Sequence, residues 1–168
     1  MNTNCYYAFG SPLLYKSNLS NLGTLAFNFR VVSLEGESQD ILNLYNDNVK
    51  IRLYLNNLGA LYLSFNGKTY LVLNDLSLLK KKTSFIFKYE IVGNTLHFDI
   101  YINNLPKLEN VLVDPSFNLT NIGELKILFG RNTQYKIATD INGLNVSEIQ
   151  NKFNGFIGDF IYSNSNVS

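Results

Sequence analysis

Apolar and polar side chains alternate along most of the chain, most regularly between residues 49 and 102. In the segment 49–55, for example, Val, Ile and Leu occupy every second position, and Lys, Arg and Tyr stand between them. This two-residue period is typical of β-strands that bury one face and expose the other. The pattern predicts short strands at 5–9, 24–33, 40–45, 49–56, 60–66, 68–74, 84–92, 95–102, 108–113, 125–129 and 155–162.

Short turns rich in Asn and Gly separate several of these predicted strands. Asn66-Gly67 is the strongest hairpin signal, because both residues tolerate the positive φ angles of a type I′ turn. In the strand that follows this turn, we predict that Leu71 and Leu73 face the core and that Val72 faces solvent.

The remaining segments are more polar. We predict a loop at 11–23, which contains Pro, Ser and Asn, a long polar connection at 131–144 and two turns of helix at 146–153. Many short strands with almost no helix imply two packed sheets or a barrel. Because 168 residues suit one domain with a sizeable core, we predict a single all-β domain over residues 1–168. We expect this domain to be a segment of a larger protein.

Charge and cysteine content narrow the functional classes. A formal net charge of +1 provides no long-range field for nucleic acid, so we expect no nucleic-acid partner. Cys5 is the single cysteine, which excludes an intrachain disulfide and a Cys/His metal cage and fits a reducing compartment. The first ten residues lack the basic and apolar regions of a secretion signal, and no window approaches the about 18 apolar residues of a membrane span. We therefore expect a cytoplasmic protein.

Three segments together resemble the concanavalin A-like jelly roll, the sandwich of legume lectins, laminin-G modules and pentraxins. The segment TLAFNFRVV is similar to the "F-x-F-W-F-R" strand of such modules, with Asn28 in place of the tryptophan. The pair SFIFKYEIV and TLHFDIYINNLP resembles their "W-H-x-I-x-I" and "L-x-V-Y-V-N-G" strands. The segment FNGFIGDFIYSN, near the end of the chain, resembles their closing "F-x-G-x-I-G-D-F" strand.

The closing strand is the most specific of the three. Its form F-x-G-x-I-G-x-F-x-x-x-N resembles the concanavalin A-like segment of the large BEACH-type scaffold proteins of vesicle trafficking more than it resembles laminin-G modules. The resemblance covers residues 25–164 at the level of pattern. It implies a two-sheet antiparallel sandwich, the concanavalin A-like jelly roll, within an intracellular trafficking scaffold.

Catalytic chemistry has little support in the sequence. Retaining glycosidases of this fold carry an E-x-D-x-x-E run that is absent here, and Glu90 with Asp99 on adjacent predicted strands is the nearest approach. His97 is the single histidine, and a solvated histidine is the simpler interpretation than a catalytic one. Oxygen ligands that do not match any calcium-loop spacing occur at Asp114, Asn118, Asp140 and Asn142. We predict no enzyme activity, no cofactor and no bound metal.

Two surfaces are candidates for recognition. The first consists of outward residues on strands that we expect to be neighbours: Arg52, Tyr54, Lys88, Glu90, His97, Asp99 and Tyr101. Arg and Tyr are frequent in binding hot spots, and the alternative is a solvated face with ordinary cross-strand charge pairs. The second is the run Lys80, Lys81 and Lys82, which could contact phospholipid headgroups and is otherwise a solvated loop.

Together these observations predict a non-catalytic binding or scaffolding module in an intracellular membrane-trafficking protein. Its partner would be a protein or peptide, and its contact with membranes would be at most peripheral. The alternative is a carbohydrate-binding, lectin-like module whose partner is a glycan.

Overall fold

The structure, a computed structural model, describes residues 5–7, 13–18, 22–34, 38–45, 49–92, 95–113, 124–130, 137–139, 145–147 and 153–163. These residues form fourteen strands and one turn of helix. The strands are β1 Cys5–Tyr7, β2 Leu13–Asn18, β3 Leu22–Val31, β4 Gln39–Tyr45, β5 Lys50–Leu55, β6 Leu61–Phe65, β7 Lys68–Leu73, β8 Thr83–Val92, β9 Thr95–Ile102, β10 Leu105–Leu112, β11 Glu124–Phe129, β12 Ile137–Thr139, β13 Asn145–Ser147 and β14 Gly155–Ser163. The helical turn α1 is Leu76–Leu79.

The strands form two six-stranded antiparallel sheets and one short hairpin. Sheet A has the order β1-β14-β3-β8-β9-β10, sheet B has the order β2-β11-β4-β5-β6-β7, and sheet C pairs β12 with β13. The meander from β4 to β7 lies entirely in sheet B, and α1 connects it to β8 of sheet A. The predicted fold class, an all-β two-sheet antiparallel sandwich, is confirmed.

The core lies between sheets A and B and is built by the alternation seen in the sequence. Every second residue of β9 is buried, and Phe98 has 1% of its surface exposed. Phe27 of sheet A packs edge-on against Phe129 of sheet B, with ring centroids 5.5 Å apart. Burial of each such ring stabilises the fold by about 1.5–3 kcal/mol. The side-chain pattern therefore determines which face of each strand lies inside.

Strands from the two ends of the chain meet in sheet A. The first strand lies at the sheet edge, where Cys5 pairs with Gly158 of β14. Gly155 begins β14 where the backbone of β3 is very close, because a Cβ there would lie 2.2 Å from the carbonyl oxygen of Arg30. Only glycine fits at this position without displacing backbone.

The predicted side-chain directions of Leu71 and Val72 in β7 are wrong, whereas Leu73 packs against the core as predicted. Val72 is buried at 5% exposure, whereas Leu71 is 49% exposed. The two-residue turn at Asn66-Gly67 pairs Phe65 with Lys68, so the even-numbered residues of β7 share the inward face of Phe65. A bulge between the pairs at Leu61 and Tyr62 then brings Leu73 to the core as well.

Two predictions about polar segments are also wrong. Part of the expected loop at 11–23 is strand β2, which pairs with β11 along its whole length. The start of the expected helix at 146–153 is strand β13, which pairs with β12 inside the expected connection at 131–144. Strand β2 is formed by hydrogen bonds to a distant strand, and β12 and β13 are formed by pairing with each other. Short polar segments carry no periodicity that reveals such pairing.

None of the helices in the described part of the chain has the length and apolar character needed to cross a bilayer.

Candidate functional site

The structure divides the predicted recognition surface between the two outer faces of the sandwich. Lys88, Glu90, His97, Asp99 and Tyr101 point outward from β8 and β9 in sheet A, and Lys88 pairs directly with Asp99. The other two predicted residues belong to β5 in sheet B. The prediction that all seven lie on neighbouring strands is therefore wrong, because the chain changes sheets at α1 and side-chain alternation does not reveal such a crossing.

On the outer face of sheet A, four of the predicted residues line a cavity of about 280 Å³. This polar cavity is lined by Lys88, Tyr89, Glu90, Val92, His97, Asp99 and Asn110. Glu90 pairs with His97 and Lys88 pairs with Asp99 across the β8–β9 ladder, so ammonium, carboxylate and imidazole groups are neighbours. The polar cavity therefore contains both hydrogen-bond donors and hydrogen-bond acceptors.

The edge strand β10 gives the polar cavity its shape. Its register against β9 shifts between Leu108 and Val111, and Asn110 within the shift has a positive φ of 47°. The backbone N–H of Asn110 donates a hydrogen bond to Oδ1 of Asp99, with N and O 2.5 Å apart. This contact fixes the Asp99 carboxylate against the bulge. Lys88, Glu90 and His97 are then the side chains of the cavity that can reorient toward a ligand.

Tyr101 provides an aromatic surface beside the polar cavity. It pairs with Ile86 of β8, and the Lys88 Nζ lies 5.1 Å from the centre of its ring. A ring beside clustered donors and acceptors can bind a ligand that has both an apolar face and hydroxyl groups.

The outer face of sheet B has a different construction, centred on a buried carboxylate. Asp40 is fully buried and accepts hydrogen bonds from Nε of Arg52 at 2.7 Å and from Nδ2 of Asn43 at 3.0 Å. The Arg52 guanidinium also reaches Ser38 Oγ at 3.2 Å. Arg52 therefore neutralises a buried charge, and the predicted role in ligand contact competes with this structural one.

Aromatic residues continue this face toward the sheet edge. The Arg52 guanidinium lies 3.9 Å from the centre of the Tyr54 ring, and Tyr54 stacks on Tyr62 with ring centroids 5.7 Å apart. Burial is the main cause that raises the pKa of Tyr54, and the positive charge of Arg52 opposes it. Because Tyr62 pairs with the exposed Leu71, an apolar row of Tyr54, Tyr62 and Leu71 crosses β5, β6 and β7.

The three predicted lysines line a third region, a cavity of about 480 Å³ at the opposite end of β8 from the polar cavity. This basic cavity is lined by Asn28, Phe29, Arg30, Lys80, Lys81, Lys82, Phe156 and Gly158. The guanidinium of Arg30 lies 4.7 Å from the centre of the Phe156 ring. Arg30 and Phe156 are not among the residues predicted from the sequence. Alternation along β3 places Arg30 on the outward face, which could have marked it as a candidate for recognition. Its proximity to the three lysines could not be predicted, because it arises where the chain crosses from sheet B to sheet A at α1.

Within the described ranges, no group of three His, Cys, Asp or Glu side chains could hold a metal ion. The oxygen ligands considered from the sequence, Asp114, Asn118, Asp140 and Asn142, lie outside the described residues. The absence of a metal therefore stays a prediction.

Comparisons with known proteins place the fold. No protein-family model matches the chain, and no curated protein sequence matches it. A heptameric SAP-like pentraxin from Limulus polyphemus is similar over 94% of this chain and 71% of its own, with a TM-score of 0.60 and 13% identity. The fold is a lectin-type, concanavalin A-like jelly roll.

Two further structures share this jelly roll. The CBM40 module of the Ruminococcus gnavus IT-sialidase, solved with α2,3-sialyllactose, is 14% identical and has a TM-score of 0.57. That similarity covers 89% of this chain and 79% of the module. Sheep galectin-11, solved with glycerol, is 10% identical with a TM-score of 0.51, over 90% of this chain and 97% of its own. The concanavalin A-like resemblance is therefore confirmed for the fold, whereas the finer resemblance to BEACH-type scaffolds stays a prediction.

Proposed function

We propose that this chain is a non-catalytic, carbohydrate-binding module of the lectin type, and that the glycan binds in the polar cavity on the outer face of sheet A. The observation that carries the proposal is the polar cavity itself, where Lys88, Glu90 and His97 face one hollow beside the ring of Tyr101. Sugars present hydroxyl groups that need donors and acceptors, and C–H faces that pack on aromatic rings.

The jelly roll of the CBM40 module supports the choice of ligand class, because that structure contains sialyllactose. Charge gives further support for a polar ligand. The cavity contains cations and carboxylates in neighbouring pairs, so it suits neutral or mixed hydroxyl-rich ligands more than a strongly charged one. This proposal replaces the scaffold as the leading hypothesis.

A glycan array followed by titration calorimetry tests the proposal. We expect saturable binding of at least one glycan class, with the same affinity in calcium and in a chelator. Tyr101→Ala should raise Kd at least tenfold, which corresponds to about 1.4 kcal/mol. Tyr54→Ala is the matched control, because it removes an outward tyrosine from the other sheet and should leave Kd unchanged. Absence of binding to every glycan, or equal losses for both variants, would contradict the proposal.

The non-catalytic part of the proposal has its own test. Glu90 pairs with His97 and Asp99 pairs with Lys88, so the two carboxylates are not directly opposed in the ladder. We expect prolonged incubation with any bound oligosaccharide to release no product. Product release that disappears in a Glu90→Gln variant would show that the module is an enzyme.

We retain a second candidate, the protein-binding module of a cytoplasmic trafficking scaffold. The apolar row of Tyr54, Tyr62 and Leu71 favours it, because rigid aromatic side chains next to an exposed leucine are common in protein interfaces. The trafficking context comes from the resemblance of the closing strand to BEACH-type scaffolds. The cytoplasmic location is expected from the single cysteine, and the protein partner from the outward Arg and Tyr side chains.

Cross-linking in cytosol, with the wild type and with variants of the apolar row, tests this second candidate. A defined partner that is lost in Tyr62→Asp and in Leu71→Asp, and retained in Tyr101→Ala, would support the scaffold. Arg52 is unsuitable for this test, because its loss would leave Asp40 buried without its cation. A partner retained in both row variants would exclude this surface.

A further inference from the structure

We propose that the basic cavity binds the phosphorylated headgroup of an anionic lipid and so places this end of the sandwich on a membrane surface. The proposal is independent of glycan binding. The two cavities lie at opposite ends of β8, and Lys82 and Lys88 are about 20 Å apart at the rise of an extended strand.

Four cations converge on the basic cavity from two parts of the chain. The β3–β8 ladder ends with the pair Phe29 and Thr83, so Arg30 follows this pair on β3 and Lys82 immediately precedes β8. The helical turn α1 ends immediately before Lys80 and Lys81. Packing of α1 against β3 brings the lysine run beside Arg30.

Within the described residues, none of these cations forms an ion pair with a carboxylate. No acidic side chain in this part of the chain lines the basic cavity. Two acids, Asp75 and Asp159, approach the cavity without lining it, and each is hydrogen-bonded to another group. Asp159 accepts a hydrogen bond from Asn28, and Asp75 accepts from Ser77 and from the Leu78 N–H, contacts that lower its pKa more than the charge of Lys81 does. Mutual repulsion of the four cations would be relieved by a bound anion.

The composition of the cavity favours phosphate groups. A phosphate monoester carries about −1.5 to −2 charges and three acceptor oxygens, so several cations can contact it together. Arg binds phosphate through two parallel hydrogen bonds, and Lys binds it as a point charge. The Phe156 ring, held against Arg30, adds an apolar wall suited to a ring-shaped headgroup. The volume of about 480 Å³ lies within the range of small-molecule sites.

Exposed apolar side chains beside the basic cavity favour a lipid over a free phosphate compound. Val32 is 47% exposed and lines a neighbouring cavity with Arg30 and Lys80. Leu58 is 78% exposed in a turn whose Gly59 lies against Leu76 of α1, next to the lysine run. Basic residues flanked by exposed apolar ones are the combination that attracts a protein to an anionic membrane and inserts it into the interface.

Vesicle co-sedimentation at physiological salt tests the proposal. The vesicles are phosphatidylcholine alone, phosphatidylcholine with phosphatidylserine, and phosphatidylcholine with phosphatidylinositol bisphosphate, the last two matched in total negative charge. We expect binding to the bisphosphate vesicles at least tenfold tighter than to the phosphatidylserine vesicles. Arg30→Ala combined with Lys82→Ala should abolish that preference. The matched control is Lys50→Ala combined with Lys107→Ala, which removes two exposed lysines from β5 and β10.

A second experiment distinguishes binding of the membrane lipid from binding of its soluble headgroup. Val32→Ser combined with Leu58→Ser should weaken binding to vesicles at least threefold and leave the thermal stabilisation by inositol trisphosphate unchanged. Circular dichroism confirms that each variant is folded. The proposal is overturned by equal binding to both anionic vesicles, by equal losses in the control pair, or by stabilisation from inositol trisphosphate without vesicle binding.

Discussion

The outer faces of sheets A and B arise from the same alternation of side chains, yet they use their charges differently. On sheet B, Arg52 is bound to the buried Asp40 and stacks on Tyr54, so its charge is satisfied within the protein. On sheet A, Glu90 is exposed and Lys88 and His97 are partly exposed around an open cavity. The comparison shows that an outward charged residue is free to contact a ligand only when no buried partner already holds it.

The largest expected effect tests which residues of β7 belong to the outer face of sheet B. Val72→Asp should lower the free energy of unfolding by about 4 kcal/mol, because it places an unpaired carboxylate in the core. The neighbouring variant Leu71→Asp should change it by less than about 0.5 kcal/mol, because Leu71 is half-exposed. Urea unfolding measures both. Greater loss for Leu71→Asp would restore the faces that the sequence predicts and remove Leu71 from the apolar row.

The next effect contrasts one carboxylate from each face. Asp40→Ala should cost about 3 kcal/mol of unfolding free energy, because Arg52 and Asn43 lose a buried acceptor. Asp99→Ala should cost about 1 kcal/mol or less, because its cross-strand partner Lys88 is partly exposed and can be hydrated. Chemical unfolding at neutral pH gives both values. Equal costs would mean that the two faces hold their charges in the same way.

The smallest effect is a pH dependence specific to sheet B. Burial raises the pKa of Tyr54 above its ordinary value of 10.0, so the folded state holds the phenol proton more tightly than the unfolded state. This contribution to stability is complete below pH 10 and is lost as pH rises through the pKa of the folded state. Stability measured from neutral to alkaline pH should therefore fall less in Tyr54→Phe than in the wild type. Identical slopes would show that Tyr54 is as solvated as a free phenol.

The fold class could be predicted from the sequence, because alternation identifies most of the long strands and their buried faces. Phe87 and Phe98, for example, alternate with polar residues along their strands and are buried. The candidate surface was predicted only in part. Alternation does not say which sheet a strand joins, so Arg52 was grouped with Lys88 across the sandwich. It also does not reveal that Asp40, an acid on the outward side of β4, is covered by its neighbours.

The basic cavity is a case in which residues that lie close together in the structure were treated as separate. The lysine run was identified as a separate loop, because its spacing along the chain gives no link to the strand that carries Arg30. The cavity exists only after the β7–β8 connection packs against β3. Features formed by one strand are therefore visible in the sequence, whereas features formed between distant segments need the structure.

The most direct test of the central claim, that the outer face of sheet A is the ligand face, is a nuclear magnetic resonance titration of the ¹⁵N-labelled protein with the best glycan from the array. The account predicts that backbone amide shifts change with saturation in Lys88–Glu90, His97–Tyr101 and Asn110, and stay constant along β5 and β6. Saturating changes confined to β5, β6 and β7 would contradict it, and would move recognition to the face centred on Tyr54 and Tyr62.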